Sequence, residues 1–350
     1  MTNKLTRRTS ALVLYNGKNI SSSLAPYLKN LTVTDNMGGV ADDLQITLED
    51  REALWQGIWL PEIGATLDVS VICENWPELP GTVYRLGLFE IDEITSSGPP
   101  SEVQIKAVSI PDDNNLRGVE RTRSWEKAEL KRIANDIAAG AALTLAYEID
   151  YNPIIDRAEQ SEESDLNFLY KILQDHGLAL KIFDKKLVIF DEADYEAVAP
   201  PITIYKPQIG SEGGTAFKVK AIKSYSLKSK LRDIYKACHV KYQDGKNKKK
   251  IEATFTDSQK ASGKTLEVNE QVKTQGEAER LAKKRLRAKN CQEVTGSFSL
   301  LGNPLLLASN TVSLDGFGAY DGNYIIIRAT HNISSGFTTD IEIRRCLNGY

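Results

Sequence analysis

Gly87-Leu-Phe-Glu-Ile-Asp-Glu-Ile94 organises this chain of 350 residues, because its pattern returns 235 residues later as Gly322-Asn-Tyr-Ile-Ile-Ile-Arg-Ala329. Upstream of the two copies, Gly64-Ala-Thr-Leu-Asp-Val69 resembles Ser309-Asn-Thr-Val-Ser-Leu314. A repeated pattern is evidence about architecture, and this one indicates an internal duplication. The competing interpretation is chance, since strand-rich sequences resemble one another readily. If the duplication is real, the chain holds two like units with a different domain between them.

The first third of the chain alternates apolar and polar residues, as in Leu44-Gln-Ile-Thr-Leu48 and Val103-Gln-Ile-Lys-Ala-Val108. Turn-forming pairs such as Pro80-Gly81 stand between the alternating runs. A period of two with one polar face predicts short antiparallel strands in a closed or nearly closed barrel, or in a sandwich. We therefore predict a first β-barrel domain over residues 1–110.

The apolar period changes to that of a helix after residue 110. Apolar positions recur at helical spacing at Leu130, Ile133, Ala134, Ile137 and Ala138. Ser124 is predicted to cap the start of this helix, and Gly140 is predicted to end it.

A second helix is predicted to begin near Ser164 or Asp165 and to stop at Gly177, where a left-handed cap is wanted. Two apolar runs then follow with Asp184-Lys185 between them, which predicts a hairpin. Together with the preceding helix, these elements predict a small α+β domain over residues 111–200.

Strands return in the last third, where segments 235–242 and 251–256 are predicted to form a hairpin. One helix interrupts them and begins at a capping box made by Thr274 and Glu277. We predict a second β-barrel domain over residues 201–350. The predicted fold class is therefore mainly β, with two similar antiparallel β-barrel domains flanking the small α+β domain.

Composition excludes several classes of protein. Lysine and arginine number 44 against 47 aspartates and glutamates, a formal charge of −3, so no overall charge indicates a nucleic-acid or membrane partner. The longest uncharged apolar stretch, residues 137–147, is far shorter than the roughly 18 residues of a transmembrane helix, and no secretory segment is visible. We expect a soluble protein without membrane insertion.

Acidic side chains cluster at residues 148–165, where seven of them stand against one arginine. Paired carboxylates could divide acid and base roles in a hydrolase, which requires one of them in an apolar pocket. A solvated face is the favoured interpretation of so crowded a run. Glu163 and Asp165 also complement the dipole of the helix that follows them.

Basic side chains form two blocks in the last third. The predicted hairpin 241–250 carries Lys241, Lys246, Lys248, Lys249 and Lys250, and the helix at 277–289 carries six cations against two acids. Clustered lysine and arginine side chains could bind phosphate groups. A carbohydrate- or nucleic-acid-binding β module is therefore an alternative to a structural protein. Aromatic residues for base stacking are missing, which favours a solvated or protein-docking surface. Acidic and basic blocks also suit contacts between identical subunits.

Residue types that perform catalysis are scarce and scattered. The three histidines are His176, His239 and His331, and the four cysteines are Cys73, Cys238, Cys291 and Cys346. The cysteines form no C-x-x-C pair and suit a reducing cytosol, and the glycine-rich stretch 210–214 has no phosphate-binding spacing. We therefore predict no catalytic, cofactor-binding or metal-binding residues and no enzyme.

One stretch, from Arg157 to Asp191, carries the signature of a known family. Glu163-Ser-Asp165 leads a helix, Phe168-Leu169 lies on its inner face, and Gly177 precedes two strands. This order resembles that of phage late control D proteins, the baseplate hub proteins of contractile tails, which are related to the hub part of type VI secretion VgrG proteins.

Two further stretches extend the resemblance, so that it covers most of the chain in outline. Arg123-Ser-Trp125 is predicted to open the first helix of the middle domain, as in the family, and the stretch from Gly302-Asn-Pro304 to His331 is similar to the last barrel of the hub.

The resemblance implies a structural role. Hub proteins of this family carry two similar β-barrels per chain and associate as trimers, which gives a pseudo-sixfold ring that joins the tail tube to the central spike. The family brings no catalytic residues. A VgrG-type hub of a secretion or injection system is the nearest alternative.

The partners and the place of action follow from the resemblance. The expected partners are two further copies in a homotrimer, the tail tube protein, other baseplate proteins, the tape measure protein and a separate spike protein, because the chain ends at Tyr350 after its last strand. DNA or an effector would pass through the lumen without specific binding. The expected place is the tail baseplate of a virion or phage-tail-like particle, assembled in the bacterial host cytoplasm.

Overall fold

The computed structural model describes residues 6–110, 116, 118–206, 217–219, 221–243 and 250–350. Strands make up 50% of the described residues and helices 16%, which confirms the prediction of a mainly β protein. Within the described residues, no helix is both long and apolar enough to cross a membrane.

The first third is built from strands that bury alternate side chains. Strand β4, for example, buries Leu44, Ile46 and Leu48 and turns the residues between them toward the surface, as its period of two predicts. The elements are β1 (Arg8–Tyr15), β2 (Lys18–Asn19), α1 (Ser21–Leu24), β3 (Leu28–Asn36), β4 (Asp43–Glu49), β5 (Thr66–Glu74), β6 (Val83–Ser97) and β7 (Glu102–Val108).

The middle of the chain contains both predicted helices and the predicted hairpin. Its elements are β8 (Glu120–Glu129), α2 (Leu130–Gly140), β9 (Thr144–Tyr147), β10 (Ile154–Ser164), α3 (Asp165–Asp175), β11 (Ala179–Phe183), β12 (Lys186–Phe190) and α4 (Glu192–Glu196). Ser164 caps α3 by accepting from the Asn167 amide at 3.4 Å, and Gly177 adopts a φ of +63° after it. The predicted cap at Ser124 is wrong, because Ser124 lies inside β8 and Glu129 precedes α2.

The last third contains β13 (Ile202–Tyr205), β14 (Phe217–Val219), β15 (Ile222–Ser229), β16 (Tyr235–Gln243), β17 (Lys250–Thr256), β18 (Lys264–Val268), α5 (Gln275–Asn290), β19 (Val294–Leu301), β20 (Thr311–Asp315), a 3₁₀ turn (Gly318–Tyr320), β21 (Gly322–Ile333) and β22 (Phe337–Arg345). The predicted capping box is confirmed: the Thr274 hydroxyl accepts from the Glu277 amide at 3.1 Å. The Glu277 carboxylate in turn accepts from the Lys273 amide at 2.8 Å.

The internal duplication is visible in the order of the strands. The first repeat has the order β5-β6-β7-β4-β3, and the second has the order β20-β21-β22-β19-β15. In each repeat, therefore, the first, second, third, fourth and fifth strands along the chain occupy corresponding places. The segment that contains β16, β17, β18 and α5 is an insertion between the first two strands of the second repeat.

Irregularities of the strands recur as well. The pairing of β6 with β7 slips between Ile91 and Glu93, and that of β21 with β22 slips at the corresponding place, between Ile326 and Arg328. Because a β-bulge is a specific local feature, a bulge shared at the aligned position supports duplication rather than chance resemblance.

Backbone hydrogen bonds outside the strands are also repeated. The Asp50 amide donates to the Ser101 carbonyl at 3.0 Å, and the Gly302 amide donates to the Phe337 carbonyl at 2.9 Å. Both bonds join the residue after the second strand of a repeat to the start of its fifth strand. The alignment read from the sequence is therefore confirmed in three dimensions.

The two repeats join into one sheet of 14 strands through antiparallel pairing of β3 with β21. The pairing runs from Leu31 opposite Ile333 to Asn36 opposite Arg328. The predicted closed barrels are not found, because the pairings among the described strands never return to their starting strand. Each repeat nevertheless has a hydrophobic core of its own.

Two further units pack beside the repeats. The middle unit packs α2 and α3 around a separate core, with a ribbon of β8 and β10 and a small sheet of β9, β12 and β11. The inserted unit packs α5 on the sheet of β17, β16 and β18, and it also has its own core.

Candidate assembly interfaces

The three histidines lie in three separate environments. His331 is fully buried, and its Nδ1 lies 3.1 Å from the Thr339 hydroxyl. Burial lowers its pKa to about 4, so this side chain is neutral at pH 7. His176 follows α3 and contacts the Tyr151 hydroxyl at 3.2 Å, and burial lowers its pKa as well. His239 lies 3.1 Å from Glu267 on the surface of the inserted sheet.

The carboxylates and thiols of the described residues form no metal-binding cluster. Among the described residues, no group of three or more histidine, cysteine, aspartate or glutamate side chains could hold a metal ion. Cys73 and Cys238 are buried, and burial raises the pKa of each thiol to about 11. Neutral, enclosed thiols of this kind serve as packing residues.

The acidic run and the basic helix α5 meet within one chain. Lys273, which precedes the helix, forms an ion pair with Asp156, and the Arg280 guanidinium lies 3.2 Å from the ring centre of Tyr151. A cavity of about 320 Å³ separates α5 from the end of α3, and Lys284 lies on its wall. Burial lowers the pKa of Lys284 to about 7. At least part of the charge complementarity expected between subunits is therefore satisfied inside the chain.

The predicted basic hairpin is described only at its base. Lys250 pairs with Glu252 at 2.8 Å, and Lys241 lies 3.9 Å from Glu267. The lysine-rich tip at residues 246–249 lies outside the described residues.

The family-like residues of the middle unit form a single structural cluster. Arg123 donates to Asp165 at 2.6 Å and to Gln160 at 2.8 Å. Its guanidinium also lies 4.7 Å from the ring of Trp125, which stacks on Phe168 at 5.2 Å. These contacts hold the first turn of α3 against the ribbon of β8 and β10. Asp165 is thus a buried ion-pair partner, a role that the sequence did not reveal.

A buried ionic cluster ties the inserted unit to the second repeat. The Glu196 carboxylate, with 2% of its side chain exposed, accepts from Arg287 of α5 at 2.6 Å and also pairs with Arg344 of β22. Arg344 reaches Glu192 as well, at 2.7 Å. Glu196 and Arg344 are almost fully buried, so their ion pair together with that of Arg287 joins α4, α5 and β22.

The junction between the two repeats is closed by apolar and polar contacts. Met37 and Ala308 are 7% and 8% exposed and pack together with Ile325 and Phe190. The Ala308 amide donates to the Asp35 carboxylate at 2.8 Å. Ion pairing of Asp35 with Lys181 from the middle unit adds a third contributor to the same junction.

Each repeat also has a second strand edge, which corresponds to one side of this junction. Among the described strands, these two edges have no partner strand. Strand β15, the counterpart of β3, pairs with β19 on one side only among the described strands. The end of β6, residues 92–97, corresponds to the part of β21 that receives β3 and pairs only with β7 in the same description. Five of its six residues are exposed. A pair of edges like these is a template for strand addition.

Comparison with known sequences identifies a matching protein family and two similar proteins. Residues 110–337 match the family described as "Phage tail baseplate hub (GPD)". Proteins named "Probable baseplate hub protein" from Escherichia phages 186 and P2 are each 29% identical to this chain, over 179 and 178 residues. The match covers 51% of this chain and 43% and 44% of those relatives, less than half of their length.

Comparison with solved structures shows a shared fold over nearly the whole chain. A tail protein from Neisseria meningitidis MC58 superimposes with a TM-score of 0.70 at 13% identity, over 96% of both chains. A chain of the Francisella PdpA-VgrG complex gives a TM-score of 0.58 at 12% identity, over 97% of this chain and 58% of that one. The expected relation to VgrG proteins is therefore confirmed at the level of the fold.

Proposed function

Because the chain belongs to the phage tail baseplate hub family, we propose that it is the structural hub of a contractile tail baseplate and that three copies form its ring. Each copy contributes two repeats, so the ring contains six similar units with threefold and pseudo-sixfold symmetry. The observation that carries the proposal is the pairing of β3 with β21, which joins two repeats edge to edge inside one chain.

Ring closure follows if the same junction also forms between copies. The equivalent edges, β15 and residues 92–97 of β6, would then pair across each subunit boundary. Every repeat would be related to the next by the same rotation, and a head-to-tail contact of this kind closes into a ring when the rotation divides a full turn. Pairing would also protect edges that otherwise invite aggregation.

Such a ring would join a sixfold structure to a threefold one. Its six similar repeats would present a sixfold surface to the tail tube, and its three identical chains would present a threefold surface to a central spike. We propose the tube protein, the spike, other baseplate proteins and the tape measure protein as its partners, with a lumen for passage of DNA or an effector.

The domain limits belong to the same proposal. We propose that residues 1–110 and 201–350 each curl into a barrel-like unit around the core of one repeat, with the domain 111–200 between them. The separate cores of the two repeats support this arrangement. The role is mechanical and non-enzymatic, in keeping with the structural names of the relatives.

A VgrG-type injection particle is the second candidate setting, because the fold extends over 97% of this chain in the Francisella complex. The ring itself would be the same in either particle. Mass spectrometry of purified particles that contain this chain would distinguish the two, because it identifies the proteins that accompany the chain.

Electron microscopy of the purified chain tests the ring. We expect class averages with six lobes around a central opening and threefold symmetry. Particles without an opening, or rings with another number of lobes, would overturn the proposed arrangement.

A further inference from the structure

The repeat relates exposed residues on one copy of the chain to buried residues inside it. The first strand of each repeat, β3 or β15, has a bulge at the corresponding place in its pairing with the second strand. When residues are counted along the strand from this bulge, Leu231 of the second repeat corresponds to Met37 of the first. The Gly64 amide donates to the Ile91 carbonyl, and the Ser309 amide donates to the Ile326 carbonyl at the corresponding place of the second repeat. The residue before each donor is Ile63 in the first repeat and Ala308 in the second, so these two residues correspond. Leu231 and Ile63 are therefore the residues that correspond in sequence to Met37 and Ala308, which pack in one cluster.

The two pairs differ sharply in exposure. Met37 and Ala308 are 7% and 8% exposed because the junction between the repeats covers them. Leu231 is 89% exposed and Ile63 is 61% exposed. Apolar side chains that correspond to buried ones thus lie exposed at the open end of each repeat, and Ile63 is larger than its counterpart Ala308. Ile58 and Leu60, which are 85% and 52% exposed, enlarge the apolar surface on the loop of Ile63.

We infer that Leu231 of one copy packs on the loop of Ile63 in a second copy and fastens the subunit boundary. The occupant of this apolar loop is another copy of the same chain, because the contact that covers the equivalent residues is present within the chain. The inference rests on the proposed ring and names the residues that hold it together.

The register of strand addition follows from the internal junction. Arg328 of β21 stands opposite Asn36 of β3, and Arg328 donates to the Asn36 side chain at 3.1 Å. The counterpart of Arg328 is Glu93, and the counterpart of Asn36 is Lys230. Strand addition at the boundary would therefore place a lysine of β15's end opposite a glutamate of β6.

Charge along the two edges supports this register. Lys228 lies near the end of β15 and Lys230 directly follows the strand, whereas Asp92 and Glu93 lie at the bulge of β6. Opposite charges on facing strand edges favour the pairing and disfavour shifted alternatives. Glu93 already contacts Lys106 at 3.0 Å, and Lys230 would extend this pair across the boundary.

The turn between the last two strands has different residues in the two repeats. Because of this difference, Leu231 would make most of the apolar contact at the subunit boundary. In the second repeat this turn is flanked by Ile333 and Phe337, which enter the core of the first repeat. The corresponding turn of the first repeat, residues 98–101, consists of glycine, prolines and serine. It offers little apolar surface to a neighbour, so Leu231 is the main apolar anchor of the boundary.

A cysteine pair tests the contact directly in the full chain. The variant that combines L231C with I63C is oxidised and run on a non-reducing gel. We expect covalent dimers and trimers that vanish on reduction, because each chain offers one cysteine to each neighbour. Each single variant is the control for the native thiols, two of which are buried. Absence of covalent oligomers from a protein that is trimeric in solution would overturn the inference.

A substitution tests the energetic role of the anchor. L231D should shift the mass in solution from trimer to monomer, by at least tenfold in the dissociation constant, without loss of the far-ultraviolet circular dichroism. The matched control is I154D, on the exposed ribbon at 67% exposure, which should leave the trimer intact. Equal masses for L231D and I154D would refute the inference.

Failure of the inference and failure of the ring give different results. A native chain that is trimeric, with no crosslinks and no effect of L231D, refutes the Leu231 contact and leaves the ring standing. A native chain that stays monomeric at every concentration, and is also absent from particles, refutes both.

Discussion

Arg123 donates to the buried carboxylate of Asp165 at 2.6 Å and so joins the β8–β10 ribbon to the first turn of α3. Asp165 has 4% of its side chain exposed, and Arg121 approaches it at 3.6 Å from the same strand. A carboxylate in this position needs its cations, because an unpaired buried charge is costly.

Replacing Asp165 should therefore weaken the middle unit. We expect D165N to lower the free energy of unfolding by roughly 2–3 kcal/mol, less than the ~3–5 kcal/mol of a fully buried pair, because both arginines are partly exposed to water. Urea unfolding followed by circular dichroism measures the loss. The control is E159Q, which breaks the exposed pair of Glu159 with Arg157 and should change stability by less than about 0.5 kcal/mol. Equal effects of the two variants would contradict this role.

Gly302 lies directly under the ring of Phe337 at the turn of the second repeat. A Cβ at position 302 would come within 2.1 Å of that ring, which is 4% exposed and packs near Trp76 of the first repeat at 6.0 Å. G302A must displace the ring from the core, and we expect a loss of about 1–3 kcal/mol. Gly336, in the turn between β21 and β22, has open space around its Cβ position. G336A is therefore the matched control, and a loss as large as that of G302A would argue against the overlap.

Acid should destabilise the fold through His331. Its pKa is about 4 in the folded chain against about 6.5 when unfolded, so protons bind more tightly to the unfolded chain. Stability from this residue is fully present above pH 6.5 and falls as the pH drops toward 4, by about 3 kcal/mol in total. The nearby carboxylate of Asp35 opposes the shift but is outweighed by burial.

Comparison with H331N isolates this effect. The asparagine variant loses packing at every pH but has no titrating ring, so the stability difference between the native chain and the variant should narrow between pH 7 and pH 4.5. Urea unfolding at four pH values measures it. A difference that stays constant with pH would show that His331 does not titrate in this range.

Much of the strand pattern could be predicted from the sequence because it is local. Three features depend on neighbouring residues alone: the alternation in β4 and β7, the helix cap at Ser164 and the end of α3 before Gly177. The repeat around Gly87 and Gly322 was visible for the same reason, since each copy is a continuous stretch.

The failures have a common physical cause, which is dependence on distant residues. Ser124 was misplaced because β8 runs straight into α2, and the ribbon partner that makes it a strand begins only at Ile154. The role of Asp165 depends on arginines 42 and 44 positions away. Closed barrels were predicted from strand period alone, which does not reveal that β3 pairs with β21.

The mass of the purified native chain in solution tests the central claim most directly. In the proposed ring the open strand edges of each repeat pair with those of neighbouring copies, so light scattering coupled to size-exclusion chromatography should give about three times the 38.8 kDa of one chain. A single species of 38.8 kDa that persists at high concentration would contradict the ring.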